Sequence, residues 1–257
     1  MKAEILSIFI PTKDFDGTIR LLTDIMGFSV TDIETSEHDE YFLKSCTIGT
    51  PNGVVLKVIE NNPKADAIND PVVSITVSNL ERVRLNLLNS GIYIFADNFD
   101  HQTGVIWFYC RSPDGTVFQF CSFPSLHTPK KMIDCKEGIE WILIPSTKFD
   151  ATVVFFENIL GFAIEESGVP VVDLQYNRYA TFKMSNGVIL EVVEPISVFT
   201  ERYNGPVVSL SVLNLRNMIL KLKNHGCEFL TDIKNPDGIG WTYFDSPAGI
   251  TFQLQGP

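Results

Sequence analysis

Residues 14–28 read DFDGTIRLLTDIMGF, and residues 148–162 read KFDATVVFFENILGF. Extended to Ile5–Phe28 and Ile139–Phe162, the comparison gives ten identities in 24 positions without a gap. Similarity at a fixed offset is the sequence signature of a repeat architecture. The chain is therefore an internal duplication, with its two halves about 134 positions apart.

The repeat continues through the rest of each half. The segment PNGVVLKVIE (51–60) matches SNGVILEVVE (185–194), and PVVSITVSNL (71–80) matches PVVSLSVLNL (206–215) with the offset increased by one. Seven residues close to the end of the first half recur close to the end of the second: Trp107, Tyr109, Ser112, Pro113, Gly115, Phe118 and Gln119 match Trp241, Tyr243, Ser246, Pro247, Gly249, Phe252 and Gln253. We therefore predict the same elements in the same order in both halves.

The local signals in each half give a strand, a helix and three strands, and then the same series again. Ile5–Pro11 is a short apolar run typical of a buried strand, and Phe15, Ile19, Leu22 and Met26 have the spacing of a helix face. A fainter second unit follows, with strand Val72–Ser78, the cap residue Asn79, a helix to Leu88, the terminator Gly91 and strands near 92–97, 104–111 and 115–122. These signals predict four βαβββ units.

Acidic residues and glycines mark the ends of the first helix of each half. Asp16 and Asp150 stand where an acid caps or opens a helix and stabilises its dipole. Gly27 and Gly161 follow the last helical residues, which is where glycine ends a helix.

Turn residues separate the predicted strands. Asn52-Gly53 and Asn186-Gly187 predict type I′ hairpins, because both central residues of that turn need a positive φ. Pro113-Asp114-Gly115 predicts the turn before the last strand of the first half.

The composition indicates a soluble globular protein. Apolar residues make up 45% and charged residues 20%, and a net charge of -11 without a basic patch makes nucleic acid and anionic membranes poor partners. The apolar run Ile5–Ile10 is too short to span a membrane. The five cysteines are far apart and form no C-x-x-C pair, which argues against a disulfide framework and a zinc knuckle. We expect a cytoplasmic monomer or homodimer.

The chain resembles the vicinal oxygen chelate superfamily in its paired βαβββ units, in a first helix that ends with a Gly-Phe step, and in closing turns at 112–115 and 246–249. The resemblance spans essentially the whole chain. It implies an α+β fold in which the four units form two half-barrel domains, residues 1–122 and 138–257, joined by a linker at 123–137. Function stays open, because the superfamily includes glyoxalase I, extradiol dioxygenases, fosfomycin-inactivating transferases and bleomycin-binding proteins.

The resemblance also implies four positions per half that carry His or Glu ligands in metal-dependent members. They correspond to Ser7, Lys57, Val72 and Gln119 in the first half, and to Trp141, Glu191, Val207 and Gln253 in the second. A divalent transition metal needs about three or four imidazole, carboxylate or thiolate donors. Only Glu191 is such a donor, so we expect neither the usual metal site nor another cofactor.

Histidine and cysteine offer no replacement site in the sequence. None of His38, His101, His127 and His225 shares a predicted strand face with another histidine. Cys110 and Cys121 have no histidine near them along the chain, so we interpret them as small buried residues rather than as nucleophiles.

Lys57 lies between apolar neighbours on a predicted strand, so its ammonium group needs an acid, a ligand or the solvent-exposed rim. We interpret it as a possible anchor for an anion or carboxylate in the first cleft. The alternative is a lysine that extends to the edge of the sheet or pairs with a structural acid.

Glu191 occupies the matching position of the second half, with Trp141 predicted to face it. A carboxylate opposite an indole suits a cationic or aromatic ligand, and a buried glutamate can also act as a general base. Glu191 is therefore the one candidate for a catalytic residue. The alternative is a carboxylate paired with a residue such as Arg178 and a tryptophan that belongs to the core.

Polar and aromatic residues complete the predicted ligand-binding set. Gln119 and Gln253, with serines and threonines on neighbouring strands, predict hydrogen-bonding walls, or else ordinary polarity at a sheet edge. Trp107 and Trp241 share a strand face with Tyr109 and Tyr243 and are either stacking platforms or core residues.

These residues predict a glyoxalase- or bleomycin-resistance-like protein that binds a small organic ligand, cationic or aromatic, without a metal. One alternative is an enzyme of the lyase, isomerase or dioxygenase type that uses unrecognised metal ligands or Glu191 as base. Another is an interaction module that has lost its pocket. Ser7 of the first half corresponds to Trp141 in the second, and Lys57 corresponds to Glu191. Because these equivalent residues differ in size and charge, we expect the two clefts to differ.

Overall fold

The computed structural model describes residues 3–35, 42–61, 70–99, 104–123, 138–171, 175–196, 205–235 and 238–257. Residues 124–137, most of the predicted linker, lie outside these ranges, as do His38, His101, His127 and Cys135. No helix in the described ranges is long and apolar enough to cross a membrane.

The described residues form sixteen strands and four helices. The strands of the first half are β1 (Ala3–Thr12), β2 (Ser29–Thr35), β3 (Phe42–Gly49), β4 (Val55–Asn61), β5 (Val72–Val77), β6 (Ile94–Phe99), β7 (Ile106–Arg111) and β8 (Val117–Ser122). Those of the second half are β9 (Gly138–Pro145), β10 (Ile164–Gly168), β11 (Tyr176–Lys183), β12 (Ile189–Pro195), β13 (Val207–Ser211), β14 (Glu228–Phe229), β15 (Gly240–Asp245) and β16 (Thr251–Gly256). The helices are α1 (Phe15–Arg20), α2 (Leu80–Asn89), α3 (Phe149–Val154) and α4 (Leu215–Asn224). Helices α1 and α3 each continue as a short π-helical turn, Leu21–Ile25 and Phe155–Ile159.

Each half of the sequence builds one eight-stranded sheet. The first has the strand order β2-β3-β4-β1-β5-β8-β7-β6, and the second has the order β10-β11-β12-β9-β13-β16-β15-β14. The pairs β5–β8 and β13–β16 are parallel, whereas hairpin partners such as β3–β4 and β15–β16 are antiparallel. The fold is therefore the predicted α+β arrangement of four βαβββ units, two in each sheet.

The chain also divides into two compact units, which do not follow the halves of the sequence. Unit 1 comprises Met1–Ser7, Val72–Lys131 and Ile142–Pro206, and unit 2 comprises Ile8–Pro71, Met132–Trp141 and Val207–Pro257. Unit 1 thus contains helices α2 and α3, and unit 2 contains helices α1 and α4. Because the sheets follow the halves and the units do not, the predicted domain limits stay a prediction.

An aromatic cluster on one face of β8 forms part of the core of unit 1. The ring of Phe118 packs against Phe155 and Phe156, with centroid distances of 6.1 and 5.4 Å. Phe118 and Phe120 are completely buried on this face. Because successive side chains of a strand point to opposite faces, Gln119 lies on the other face, where the polar residues described below are found.

The first helix of each half ends as the sequence predicts. Gly27 and Gly161 have φ angles of 79° and 74°, in the left-handed region that favours glycine. Asp16 and Asp150 lie in the first helical turns. The cap itself is Asp14, whose Oδ1 accepts the Gly17 N–H at 2.9 Å.

The Asn-Gly hairpins join the predicted strands, but the predicted turn type is wrong. Gly53 and Gly187 have φ angles of 89° and 88°, whereas among the described non-glycine residues only Asn235 has a positive φ. A type I′ turn would need a positive φ at the asparagine as well. The asparagines use their side chains instead: Asn52 Nδ2 donates to Ile139 O and Asn186 Nδ2 donates to Ile5 O, both at 2.7 Å.

Candidate functional site

A row of three polar side chains crosses the parallel pair β5–β8 and strand β7 in unit 1. Ser74, Gln119 and Tyr109 stand opposite one another in register, and we call them the first polar row. Ser74 Oγ donates to Gln119 Oε1 at 2.6 Å, and Gln119 Nε2 donates to Tyr109 Oη at 2.9 Å. The amide of Gln119 is held from both ends, so its orientation on the sheet is fixed.

An equivalent row lies in unit 2. Ser209, Gln253 and Tyr243 are in register across β13, β16 and β15, and we call them the second polar row. Gln253 Nε2 donates to Tyr243 Oη at 2.8 Å, as in the first row. The serine differs, because Ser209 Oγ is buried and makes no hydrogen bond. Both rows contain the Gln–Tyr pair, and only the first contains the Ser–Gln contact.

Aromatic rings extend the first polar row. The ring of Tyr109 stacks on Phe95 with centroids 5.9 Å apart, and Phe95 stacks on Tyr93 at 6.3 Å. The guanidinium of Arg111 lies 5.3 Å from the centre of the Phe95 ring. This edge of unit 1 therefore combines hydrogen-bonding groups with stacked aromatic surface, as ligand sites commonly do.

A third set of polar contacts lies in unit 2, two residues further along β13 and β16 than the second polar row. Gln255 Nε2 donates to Ser211 Oγ at 2.7 Å, and Ser211 Oγ donates to Glu140 Oε2 at 3.2 Å. Trp241 stands in register with Gln255. Sequence reasoning missed Glu140 because it precedes the position expected for a ligand, which is Trp141. The available signal was the difference between the halves, since Leu6 occupies the matching position in β1.

Lys57 pairs with an acid of its own sheet. Its Nζ lies 3.4 Å from Glu34 Oε2 and 5.4 Å from the centre of the Phe42 ring. Ser45 Oγ, which is buried, donates to the same Glu34 oxygen at 3.2 Å. This arrangement is the alternative considered from the sequence, a lysine paired with a structural acid. The role of Lys57 as an anion anchor stays a prediction.

Glu191 lies in acidic surroundings in unit 1. It is half-buried in β12 and pairs across the sheet with Thr181. The phenol of Tyr179 donates to Glu166 Oε1 at 2.7 Å. That hydrogen bond, together with burial and the charges of Glu166 and Glu191, raises the pKa of Tyr179. Two carboxylates near one phenol favour a cation over an anion at this place.

The residue suggested as a partner for Glu191 binds other acids. Arg178 donates to Glu194 Oε2 at 2.9 Å and to Asp150 Oδ1 at 2.8 Å. Its guanidinium also lies 4.5 Å from the centre of the Phe149 ring. The hydrogen bonds from Arg178 lower the pKa of Glu194. Arg178 therefore ties the start of helix α3 to β11 and β12.

The remaining predicted site residues are half-buried strand residues. Ser7 lies in β1, Trp107 in β7, and Trp141 in β9. Trp141 belongs to unit 2 and Glu191 to unit 1, so their predicted facing arrangement stays a prediction. The structure does bring Gln119 together with Tyr109, Gln253 with Tyr243, and Trp241 into register with Gln255.

The residues at the expected metal positions do not fit a divalent transition metal. The amides of Gln119 and Gln253 are engaged by phenols, Lys57 brings a positive charge, and valine cannot ligate. Among the described residues, no group of three or more His, Cys, Asp or Glu side chains could hold a metal ion. The expectation that the protein uses no metal nevertheless stays a prediction.

The described cysteines are free and buried. Burial raises the pKa of Cys110 to about 12 and that of Cys227 to about 11. Burial, more than the hydrogen bonds from Thr76 and Ser74 that oppose it, also raises the pKa of Cys121. These thiols are protonated near neutral pH and are not nucleophiles in the folded protein.

A cavity of about 410 Å³ lies in unit 2, away from the polar rows. It is lined by helix α1 and its π-helical continuation, by His225 at the end of α4, and by the turn at 246–248. None of the predicted site residues lines it.

Comparison with known proteins gives structural matches only. No protein-family model matches the chain, and no curated protein sequence matches it. A variant of 4-hydroxymandelate synthase from Streptomyces coelicolor superposes with a TM-score of 0.71 at 12% identity, covering 99% of this chain and 92% of that one. The 2,2',3-trihydroxybiphenyl 1,2-dioxygenase of Sphingomonas wittichii gives 0.67 at 14% identity, with 100% and 90% covered. The Mn(II)-bound glyoxalase of Novosphingobium aromaticivorans gives 0.65 at 16% identity, with 98% and 81% covered.

These likenesses extend over nearly the whole chain, but at such low identity they establish the fold and not the activity. They agree with the four βαβββ units and the two eight-stranded sheets. The chain therefore has the glyoxalase-like fold of these structures, with two half-barrels, as the duplicated sequence predicts.

Proposed function

We propose that the protein binds a small organic ligand on the polar faces of its sheets and uses no metal to do so. The repeated Gln–Tyr hydrogen bond is the observation that carries the proposal. It is present at 2.9 Å in the first polar row and at 2.8 Å in the second. The family resemblance implies that the glutamine of each row, Gln119 or Gln253, occupies a position that carries a ligand in metal-dependent members.

An amide paired with a phenol is suited to hold an organic ligand. In the first row, where Tyr109 is half-buried, the two groups offer hydrogen-bond donors and acceptors in a fixed geometry, and binding to a preorganised site costs less conformational entropy. In the second row Tyr243 is completely buried, so it acts by orienting Gln253. The aromatic stack of Tyr109, Phe95 and Tyr93 adds apolar surface beside the first row. A ligand with an aromatic part and a few polar groups fits such a surface.

The charge of the protein favours a cationic ligand. The net charge is -11, and Glu191 and Glu166 act together on the phenol of Tyr179. A compound that combines an aromatic ring with an ammonium group is therefore the first class to test. The free thiols are consistent with a reducing compartment, and we place the protein in the cytoplasm.

The test combines metal analysis with a ligand screen. Protein purified without chelators is examined by mass spectrometry for bound metals, and aromatic amines and neutral aromatic compounds are screened by thermal shift and equilibrium dialysis. We expect no stoichiometric transition metal, and we expect binding that weakens about tenfold in Tyr109→Phe or Tyr243→Phe, which each remove one phenol of a polar row. Tyr93→Phe is the matched control, because it removes an exposed phenol from the same stack.

Three outcomes would overturn the proposal. A stoichiometric transition metal would favour an enzyme of the lyase, isomerase or dioxygenase type. Binding that is equally strong in both row variants would place the ligand elsewhere, and the absence of any binding would favour an interaction module without a pocket.

A further inference from the structure

We propose that Glu140 holds the cationic group of the ligand in the second sheet. The inference rests on the proposed function and names the residue and the ligand chemistry of one of its two sites. The evidence is the hydrogen-bond series from Gln255 through Ser211 to Glu140, which lies wholly within unit 2.

The hydrogen bonds of this series run from Gln255 to Ser211 and from Ser211 to Glu140, so Glu140 is the final acceptor. An amide N–H can only donate, so Gln255 Nε2 gives its hydrogen bond to Ser211 Oγ at 2.7 Å. The serine proton is then available for the Glu140 carboxylate, whose Oε2 lies 3.2 Å away. A carboxylate has about four acceptor sites, so one hydrogen bond leaves room for a ligand ammonium group. Glu140 is half-buried, which makes it reachable and still partly shielded from water.

An indole lies on the same face of the second sheet, with strands β13 and β16 between it and Glu140. Trp241 stands opposite Gln255 in the β15–β16 ladder, so its side chain lies on the face that carries Gln255. A ligand that crosses these two strands can place a cationic group at Glu140 and an aromatic part at Trp241. The second polar row, with its buried and unbonded Ser209 hydroxyl, is the next row on the same face.

The first half lacks the charge at the matching positions. Leu6 stands in place of Glu140, Thr76 in place of Ser211, and Cys121 in place of Gln255. Thr76 Oγ1 and Cys121 Sγ contact each other at 3.4 Å and are not followed by an acid at the matching position. Trp107 is retained as the counterpart of Trp241. Both sheets thus keep the indole, and only the second combines it with a carboxylate, so a preference for cations belongs to the second sheet.

The experiment uses benzyltrimethylammonium and choline as cationic probes. The neutral probe is 3,3-dimethyl-1-butanol, which has the shape of choline without its charge. Binding to the full chain is measured by calorimetry and by broadening of the trimethyl proton resonance. The variants are Glu140→Gln, which keeps the shape and an acceptor for Ser211, and Glu140→Leu, which copies the first half. Glu228→Gln is the control for net charge, because Glu228 is an exposed acid of unit 2.

We expect the wild type to bind choline at least about tenfold more tightly than its neutral counterpart, as one desolvated charge contact provides. Glu140→Gln and Glu140→Leu should abolish this preference, and Glu228→Gln should keep it. A preference that survives in Glu140→Gln, or equal binding of choline and the neutral probe by the wild type, would overturn the role of Glu140.

The outcomes for Glu140 and for the proposed function can be separated. If Tyr243→Phe weakens the binding of a neutral aromatic compound while Glu140→Gln changes nothing, the ligand site stands and the cation site is wrong. If no probe and no screened compound binds the wild type, both are wrong. Circular dichroism and thermal unfolding of each variant exclude loss of the fold as the cause.

Discussion

The side chain of Asn52 binds both backbone polar groups of Ile139. Asn52 Nδ2 donates to Ile139 O at 2.7 Å, and Ile139 N donates to Asn52 Oδ1 at 3.2 Å. The single hydroxyl proton of Thr50 is shared between the same Oδ1, at 2.8 Å, and Val54 O, at 2.6 Å. Asn52 is only 1% exposed, so these groups cannot turn to water if the amide is removed. The Asn52 side chain thus makes the two hydrogen bonds to Ile139 that a neighbouring strand would otherwise make at the start of β9.

We predict that Asn52→Ala destabilises the protein by about 2–3 kcal/mol, because the buried N–H and C=O of Ile139 lose their partner at once. Asn186→Ala is the matched comparison, since Asn186 makes one such bond, to Ile5 O at 2.7 Å. Asn186→Ala should lower the free energy of unfolding by only about 1 kcal/mol. Urea unfolding followed by circular dichroism measures both. Equal costs for the two variants would contradict the account of Asn52.

The two polar rows provide a second matched pair. Ser74→Ala leaves the buried Oε1 of Gln119 without its donor, so we expect a loss of about 1–2 kcal/mol. Ser209→Ala removes a buried hydroxyl that has no hydrogen-bond partner, so it should be neutral or stabilising. Differential scanning calorimetry of both variants tests the difference. A destabilising Ser209→Ala would mean that this hydroxyl has a partner when the protein is in solution.

The elements of the fold could be predicted because they depend on local signals that occur twice. Gly91 has a φ of 72° where the sequence ends a helix, and Asn79 accepts the Arg82 N–H as a cap. The turn at Asn52 could not be predicted, because its geometry depends on a bond to Ile139, 87 residues away. Sequence propensity describes what a residue does locally, and the tertiary contact prevails where the two differ.

The candidate site was only partly predictable, for a similar reason. The family pattern predicted Gln119 and Gln253 as site residues, and each of them donates to a tyrosine in the structure. It did not identify Glu140, whose significance comes from Ser211 on a strand more than seventy residues later. Partners across a sheet are set by strand register, which the sequence of one strand does not contain.

Burial of the thiols predicts low reactivity in the folded protein. The pKa of Cys110 is raised to about 12, and alkylation requires the thiolate. We expect Cys110 and Cys121 to stay unmodified by iodoacetamide at pH 8 in buffer and to be fully modified in urea. Peptide mapping by mass spectrometry distinguishes each site. Rapid modification of Cys110 in buffer would show that β7 opens far more often than a core strand should.

The contact between Arg178 and Glu194 gives the stability a defined dependence on pH. Hydrogen bonds from Arg178 lower the pKa of Glu194 in the folded protein below its ordinary value of 4.5. The unfolded chain therefore takes up the proton first as the pH falls. The stabilisation from this carboxylate is complete above about pH 4.5 and is lost progressively as the pH falls towards the lower pKa of the folded state.

We predict that Glu194→Gln is less stable than the wild type at pH 7 and that the difference in melting temperature shrinks as the pH falls below about 4.5. Glu165→Gln is the control, because it removes the same charge from a more exposed contact, 3.5 Å from Lys183. Its effect at pH 7 should be smaller, since exposed ion pairs contribute little. Thermal unfolding from pH 3 to pH 7 tests both variants. A constant difference between Glu194→Gln and the wild type over this range would show that the Arg178 contact does not control the titration of Glu194.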